Sequence, residues 1–219
     1  MKKTLFIICC MMTVHVHAQR VHFIPKVGYN MSDIAPSLHD SRHGVNFGVS
    51  FEYEILPRLS VETGVYYSMQ GSSYKLDEEL HVFHDFINGH ISIHSDMQND
   101  YINVPLLAKG YIYHGLHLYA GLQTGFLVHS RLNLSSDISL ENVIDDGFMQ
   151  FEDIDLSDYE NKIDLSGVIG AGYRFDIGLL VSVNYNAGIV KLFRTENIPF
   201  HPDMNAKNNV LQVNIGWVF

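Results

Sequence analysis

Alternation of apolar and polar residues with a period of two is the feature that most constrains the fold of this chain. In residues 45–54 the odd positions hold Val, Phe, Val, Phe and Tyr, and the even positions hold Asn, Gly, Ser, Glu and Glu. This period is that of a β-strand, whose successive side chains point to opposite faces of a sheet. Because similar stretches recur to the end of the chain and none follows the helical period of 3.6, the sequence predicts an all-β protein.

The alternating stretches and the turn residues between them divide the chain into eight predicted strands. Their bounds are about 21–30, 43–55, 59–71, 101–113, 116–130, 162–176, 178–191 and 208–219. The alternation fits a soluble sandwich or lipocalin-like barrel with its apolar side inward. It also fits a membrane barrel with its apolar side outward. The connections and the charges must decide between the two.

The connections between the predicted strands alternate between short and long. The short ones are 56–58, 114–115 and residues near 177–178, and the long ones are about 31–42, 72–100, 131–161 and 192–207. Short periplasmic turns and long outer loops are typical of bacterial outer-membrane barrels. We therefore predict an eight-stranded antiparallel up-and-down transmembrane β-barrel over residues 19–219, with apolar side chains facing lipid.

The first 18 residues have the order of a secretory signal peptide, with two lysines, a short apolar run and a small residue, Ala18, at the cleavage site. The run is too short for a transmembrane helix, which needs about 20 residues. A lipoprotein anchor at Cys9 is the alternative, but two isoleucines precede it where small residues are required. We therefore assign residues 1–18 to the signal and expect no cysteine in the mature barrel.

The overall charge argues against one class of partner. The formal net charge is −10, and a chain with such an acidic excess is a poor partner for nucleic acid. No apolar run after residue 18 is long enough for a helical membrane span. This does not exclude a membrane barrel, because each of its strands faces lipid on one side only.

Five charged residues on the polar face fall in the strand halves nearest the short turns. They are Lys26, Glu52, Glu62, Lys109 and Arg174. We expect Ile55 to face Leu59 across the short turn after strand two, and this register places Glu52 opposite Glu62. Adjacent carboxylates repel, and a narrow eight-strand lumen is filled by side chains. We therefore predict a structural charge cluster inside the barrel, with the basic residues as counter-charges.

Two further positions bear on the barrel prediction. The last strand ends on an alternating Trp217 and Phe219, which resembles the strand that the barrel-assembly machinery of outer membranes reads, so we expect these two residues to act as an assembly signal. Pro105 does not fit a closed barrel, since proline donates no hydrogen bond to the ladder. We expect a β-bulge there, or a position above the lipid band, and the phase of Tyr101 and Asn103 stays open.

Several segments resemble the PorT-like outer-membrane β-barrel family of Bacteroidota. They are Ile-Pro-Lys-Val-Gly-Tyr-Asn at 24–30, Tyr-Ile-Asn-Val-Pro-Leu-Leu-Ala-Lys at 101–109, Gly-Ala-Gly-Tyr-Arg-Phe at 170–175 and the last strand. The resemblance implies the barrel fold and an outer-membrane location, and it implies that Pro105 belongs to the family pattern. The family name refers to a protein-secretion component, and the resemblance carries over no functional residues.

The second long connection contains four histidines that are candidate metal ligands. They are His81, His84, His90 and His94. Asn88-Gly89 between them is typical of a tight hairpin turn, which would put His90 and His94 on one face. Zinc needs three or four converging ligands, and the spacing permits this without requiring it. Solvated loop histidines are the alternative, and we predict no metal site here.

The third long connection is acidic and contains no Lys or Arg between residues 132 and 161. Calcium, or divalent ions that bridge lipopolysaccharide, would be the functional interpretation, but no EF-hand spacing is present. A solvated, self-repelling loop is the alternative. Its aromatic residues, Phe148, Phe151 and Tyr159, could also form an adhesive surface.

For catalysis, the only candidate is His129-Ser130 with Glu141. His129 and Ser130 are adjacent, so on a strand their side chains would face opposite sides and could not act together. We therefore predict a non-enzymatic outer-membrane barrel without cofactor, which acts as a structural or surface-binding envelope protein through its outer loops. Its partners would be outer-membrane lipid, lipopolysaccharide and an extracellular or envelope protein. A secretion or assembly component, a pore and a lipid-modifying enzyme are the alternatives.

Overall fold

The computed structural model describes residues 20–35, 40–82, 87–140, 147–155, 161–191 and 206–219. These residues form nine strands: β1 Val21–Ala35, β2 Asp40–Leu56, β3 Leu59–Val82, β4 Ile87–Tyr113, β5 Leu116–Leu140, β6 Gly147–Asp155, β7 Ile163–Arg174, β8 Leu179–Gly188 and β9 Lys207–Trp217. The predicted signal peptide, residues 1–18, lies outside the described residues. Within the described ranges, no helix is long and apolar enough to cross a membrane.

Eight of the strands form a closed antiparallel ring. β1 pairs with β2, β2 with β3, β3 with β4, β4 with β5, β5 with β7, β7 with β8, β8 with β9, and β9 with β1. Every neighbour in the ring is a neighbour along the chain once β6 is set aside, so the topology is up-and-down. The prediction of an eight-stranded barrel is confirmed, and β6 is an additional strand that pairs only with β5 among the described strands.

The apolar side chains face outward and the polar side chains face the interior of the ring. On β2, Phe47 is 52% exposed and Phe51 is 48% exposed, whereas Ser50 and Glu52 between and beside them are buried. The same alternation follows β8 and β9. A soluble barrel would bury the apolar stripe, so this arrangement fits a protein whose outer wall contacts lipid.

The short turns lie together at one end of the ring. Residues 57–58 join β2 to β3, residues 114–115 join β4 to β5, and residues 175–178 join β7 to β8. His114 has φ 46° and Gly178 has φ 93°, conformations that the reversal of a tight turn requires. These three turns are at the predicted positions.

Two of the predicted long loops are largely strand, which corrects the sequence analysis. β3, β4 and β5 contain 24, 27 and 25 residues, whereas β8 contains 10. Their distal parts and β6 form a four-stranded sheet beyond the ring, which we call the outer sheet: 72–82, 87–100, 131–140 and 147–155. Beyond lipid a strand no longer needs one apolar face, so the ladder continues where the alternation has ended.

The predicted turn at Asn88-Gly89 is wrong. Asn88 pairs with His81 and Gly89 pairs with Leu80 inside the β3–β4 ladder. The last pair of this hairpin is Val82 with Ile87, so the connection lies at residues 83–86, outside the described residues. An Asn-Gly pair favours a tight turn only where the flanking register closes on it, and the continuous ladder carries the chain past this one.

Pro105 also differs from the expectation. It does not lie in a β-bulge, and it does not lie above the apolar band. The β3–β4 ladder stops after the pair Thr63–Leu106 and resumes at Tyr66–Asn103 in the same register. Thr63 Oγ1 donates a hydrogen bond to the carbonyl oxygen of Pro105 at 2.8 Å. The barrel thus accepts the missing donor as a local gap that a side-chain hydroxyl partly closes.

Candidate functional site

The interior of the ring contains four charged side chains that alternate in sign. Lys26 Nζ contacts Glu62 Oε1, and Lys109 Nζ contacts Glu62 Oε2 and lies 2.8 Å from Glu52 Oε2. The order is Lys26–Glu62–Lys109–Glu52, which has no net formal charge. Glu52, Glu62 and Lys109 are each 1% exposed, so each charge depends on its neighbours for compensation.

Hydroxyl groups donate further hydrogen bonds to the two carboxylates. Tyr111 Oη donates to Glu52 Oε1 at 2.5 Å, and Ser60 Oγ donates to the same oxygen at 2.7 Å. Tyr66 Oη donates to Glu62 at 3.4 Å. These residues were not predicted from the sequence, although Ser60 has the inward phase of Glu62 two positions later. We call the four charged residues and these three hydroxyl groups the charge layer.

Strand register explains how the carboxylates come together. Glu52 pairs with Glu62 across β2 and β3, as predicted. The turn nevertheless differs, because Leu59 pairs with Leu56 rather than Ile55, and an irregularity after Glu54 absorbs the shift. The predicted carboxylate pair is nevertheless correct, because the ladder is regular from Glu54–Ser60 to Glu52–Glu62.

Gly216 leaves the space that the Lys26 side chain occupies. Lys26 on β1 pairs with Gly216 on β9. A Cβ atom on this glycine would lie 2.8 Å from Lys26 Cγ and 2.9 Å from the carbonyl oxygen of Pro25. Such contacts are far inside van der Waals distance, so any larger residue here would displace Lys26 from Glu62.

Arg174 is not part of the charge layer, which corrects that part of the predicted cluster. It ends β7 and pairs with Leu180. Within the part of the chain that the structure describes, Arg174 forms no ion pair. The sequence placed Arg174 at the correct end, but only the closed ring shows that β7 lies across the lumen from the β2–β3 pair.

Above the charge layer, amide and hydroxyl side chains from six strands form a connected network. Asn46 donates to Asn30 at 2.6 Å, Gln212 donates to Asn30 at 3.1 Å, and Asn184 donates to Gln212 at 2.9 Å. The network continues through Ser68, Gln70, Asn186, Asn208, Asn214 and Tyr119. These side chains are buried and cross-link distant strands, so they fill the lumen and hold the ring together.

A small cavity lies between the two layers. Its volume is about 40 Å³, and its wall includes Lys26, Glu62, Asn103 and His117. Since one water molecule needs roughly 10–15 Å³ measured in this way, the cavity has room for about three waters and none for a solute. Tyr101 and Asn103, whose phase the sequence left open, both point inward and are buried.

The histidine and acidic candidates lie largely beyond what the structure describes. The side chain of His94 is described on β4, those of His81 and His90 are not, and His84 lies outside the described residues. The acidic stretch is strand at 132–140 and 147–155, and residues 141–146 and 156–160 lie outside the description. Among the described residues, no group of three His, Cys, Asp or Glu side chains could hold a metal ion.

The catalytic candidates face opposite ways on β5. His129 is exposed on the outer wall, and Ser130 is buried with its Oγ donating to Asn99 Oδ1 at 3.1 Å. Glu141 lies outside the described residues. A general base must lie within hydrogen-bond reach of its nucleophile, and this pair does not meet that requirement.

Trp217 and Phe219 both point outward at the short-turn end. Trp217 is 43% exposed and Phe219 is 69% exposed. The backbone of Phe219 donates to the carbonyl oxygen of Phe23 at 3.0 Å and accepts in return at 3.3 Å. The last residue therefore extends the β9–β1 seam that closes the barrel.

Comparison with known proteins agrees with this architecture. Residues 17–194 match the family described as "Outer membrane protein beta-barrel domain". No curated protein sequence matches the chain.

Solved structures that resemble this chain include those of the following three proteins. Ail of Yersinia pestis is 15% identical, with 91% of this chain and 99% of that chain covered and a TM-score of 0.42. Neisserial surface protein A is 12% identical, with coverage of 91% and 97% and a TM-score of 0.43. OprG of Pseudomonas aeruginosa is 10% identical, with coverage of 91% and 96% and a TM-score of 0.40.

The family match covers most of the chain and contains every ring strand except the last one, β9. The outward apolar wall and the closed ring are the features that such a membrane protein requires. The chain therefore belongs to the family of outer-membrane proteins with a β-barrel domain, and it lies in the outer membrane.

Proposed function

We propose that this protein is a non-enzymatic barrel that presents the outer sheet at the cell surface as a structural or binding element. The outer sheet is the observation that carries the proposal. Residues 72–82 alone extend about 36 Å along the strand at 3.3 Å per residue. Because the ladder hydrogen bonds continue through this region, the outer sheet can display a surface in a fixed orientation, as a flexible loop could not.

The filled lumen supports a role that does not depend on transport. The charge layer and the amide network occupy the interior with paired, buried groups. An eight-stranded barrel has an interior just wide enough for its own side chains. A solute path would have to break several buried ion pairs and hydrogen bonds at once, so we expect no stable conductance of the nanosiemens class in planar bilayers.

Shortening the outer sheet tests the binding role. A variant that lacks residues 76–93, with Lys75 joined to His94 through an Asn-Gly turn, keeps the ring and removes the distal hairpin. We expect it to fold with heat-modifiable gel mobility and to lose binding of expressing cells to immobilised extracellular or envelope proteins. The control replaces Pro57-Arg58 with Asn-Gly at the opposite end. Binding that survives in the shortened variant would contradict the proposal.

A secretion or envelope-assembly component is the second candidate. The resemblance of residues 24–30 and 101–109 to the PorT-like family of Bacteroidota favours it. Deleting the gene and measuring export of other proteins tests this candidate, and unchanged export would remove it. A lipid-modifying enzyme is disfavoured by the opposed side chains of His129 and Ser130, and mass spectrometry of lipid A with and without the protein tests that alternative.

We also propose a targeting role for each end of the chain. Residues 1–18 serve as the export signal, so the mature protein begins at Gln19, which N-terminal sequencing of the membrane fraction can check. Trp217 and Phe219 serve as the signal for the barrel-assembly machinery. Replacing both with Ser is expected to lower the assembled fraction in cells while the purified chain still refolds in detergent.

A further inference from the structure

An open cavity of about 660 Å³ lies on the outer wall where the apolar band ends. Its lining includes Met31, Arg42, His43, Lys75, His94 and Asp96. Met31 and His43 continue the outward rows of β1 and β2, and Asp96 and His94 continue the outward row of β4 above Ile102. The cavity therefore opens on the membrane-facing side of the protein, at the boundary between its apolar wall and the outer sheet.

The cavity lies beside an irregularity in strand pairing. The β2–β3 register shifts between Ser41 and Asn46, which leaves a gap in the regular ladder. Arg42 spans the gap, since its Nη1 donates to the carbonyl oxygen of Gln70 at 2.6 Å and its Nε lies 3.5 Å from Asp96 Oδ1. The guanidinium group is thus held in position with donors to spare.

The charges around the cavity favour an anion. Arg42 and Lys75 are the two basic side chains of the lining that carry the positive charge. Lys75 is exposed and pairs across the ladder with His94. His43 and His94 add two groups that can donate hydrogen bonds. Asp96 is the only carboxylate among the described lining residues, and Arg42 offsets its charge.

The lower edge of the cavity suits the apolar part of a ligand. Met31 is 38% exposed there, and Tyr29 lies below it on the same outward row with its hydroxyl 2.7 Å from His43 Nδ1. A tyrosine with an apolar ring and a bonded hydroxyl is typical of the membrane interface. The site is therefore cationic above and apolar below, in the order in which a lipid presents its headgroup and its chains.

We propose that this cavity binds the phosphate-bearing headgroup of an outer-leaflet lipid. Arg forms paired hydrogen bonds with phosphate oxygens, and Lys supplies a point charge. The site is separate from the distal hairpin of the outer sheet, so it stands whether or not the protein binds a surface ligand. It would anchor one lipid molecule at a fixed place on the barrel wall.

Native mass spectrometry in detergent tests the site with bisphosphorylated lipid A and with its dephosphorylated form as probes. We expect wild type to retain one lipid A and the variant R42S/K75S to retain it at least tenfold more weakly, since each cation near a headgroup contributes about fivefold in affinity. Heat-modifiable gel mobility verifies that each variant is folded. Lys162→Ser removes an exposed cation at the same end of the barrel, beside β7, and is expected to bind like wild type.

Two further measurements keep the test independent of a folding defect. Asp96→Asn removes the carboxylate that faces the anion, while the bond to Gln70 still holds Arg42, so lipid A should bind more tightly. Retention of dephosphorylated lipid A as strong as that of the phosphorylated form would overturn the proposal, and so would equal loss in R42S/K75S and Lys162→Ser. Full competition by millimolar inorganic phosphate would also overturn it, because it would indicate a free-anion site.

Discussion

At the residue scale, the charge layer depends on Lys109, which binds both of its carboxylates. Counting from a short turn predicted that Glu52 lies opposite Glu62, because strand register is local. Counting could not show that Arg174 forms no ion pair with these carboxylates, because its position relative to them depends on closure of the whole ring. Tyr66 and Tyr111, which donate to the carboxylates, were not predicted because a tyrosine is common on either face of a membrane strand.

Replacing Lys109 with Met should destabilise the barrel strongly. Removing one partner of a buried ion pair leaves uncompensated charge and costs about 3–5 kcal/mol, and here two carboxylates lose their shared partner. The measurement is the free energy of unfolding by urea in lipid vesicles. Arg174→Met is the control, with an expected loss below about 1 kcal/mol. Equal losses in the two variants would contradict the assignment of the charge layer.

Gly216 should tolerate substitution less well than Gly110. A Cβ at Gly216 would overlap Lys26 and the Pro25 carbonyl, whereas nothing lies within 4 Å of a Cβ at Gly110. We expect Gly216→Ala to lower the unfolding free energy by about 1–3 kcal/mol and Gly110→Ala to leave it nearly unchanged. The same urea titration measures both, and a larger effect at Gly110 would show that the lumen is packed differently.

At the scale of elements, the sequence predicted the ring strands and the three short turns, but the predicted β3 and β5 ended too early and the predicted β4 began too late. The reason is that the alternation records contact with lipid rather than hydrogen bonding. Once a strand leaves the membrane, both of its faces meet water and the pattern disappears, although the ladder persists. β6 was missed for the same reason, and Pro105 shows the converse, because a regular pattern there conceals a gap in the ladder.

Hydrogen exchange distinguishes an outer sheet from loops. Ladder amides in residues 72–82 and 87–100 should exchange far more slowly than amides of the open turn at 57–58. The reason is that an amide bonded to a neighbouring strand must break that hydrogen bond before it exchanges. Peptide-resolved exchange by mass spectrometry provides the measurement, with β8 as the protected reference. Exchange of these segments at the rate of the turn would mean that they are loops after all.

At the scale of the whole molecule, three observations agree: a closed ring, an apolar outer wall and an interior in which charged and amide side chains bond to one another. Each requires the other two. A ring without a free edge can enter lipid, a wall of apolar side chains makes this favourable, and polar groups turned inward need partners because little water remains there. The filled interior is why the proposed activities lie at the outer sheet and on the outer wall rather than in a pore.

The central claim is that the apolar face of each ring strand points to lipid and the polar face to the lumen. Tryptophan quenching in vesicles with brominated acyl chains tests it most directly. Trp217 is the only tryptophan of the chain, so replacing it with Phe gives a silent background for Phe51→Trp on the outer wall and Tyr119→Trp in the lumen. The account predicts strong quenching at position 51 and much weaker quenching at position 119. Stronger quenching at 119 than at 51 would contradict it.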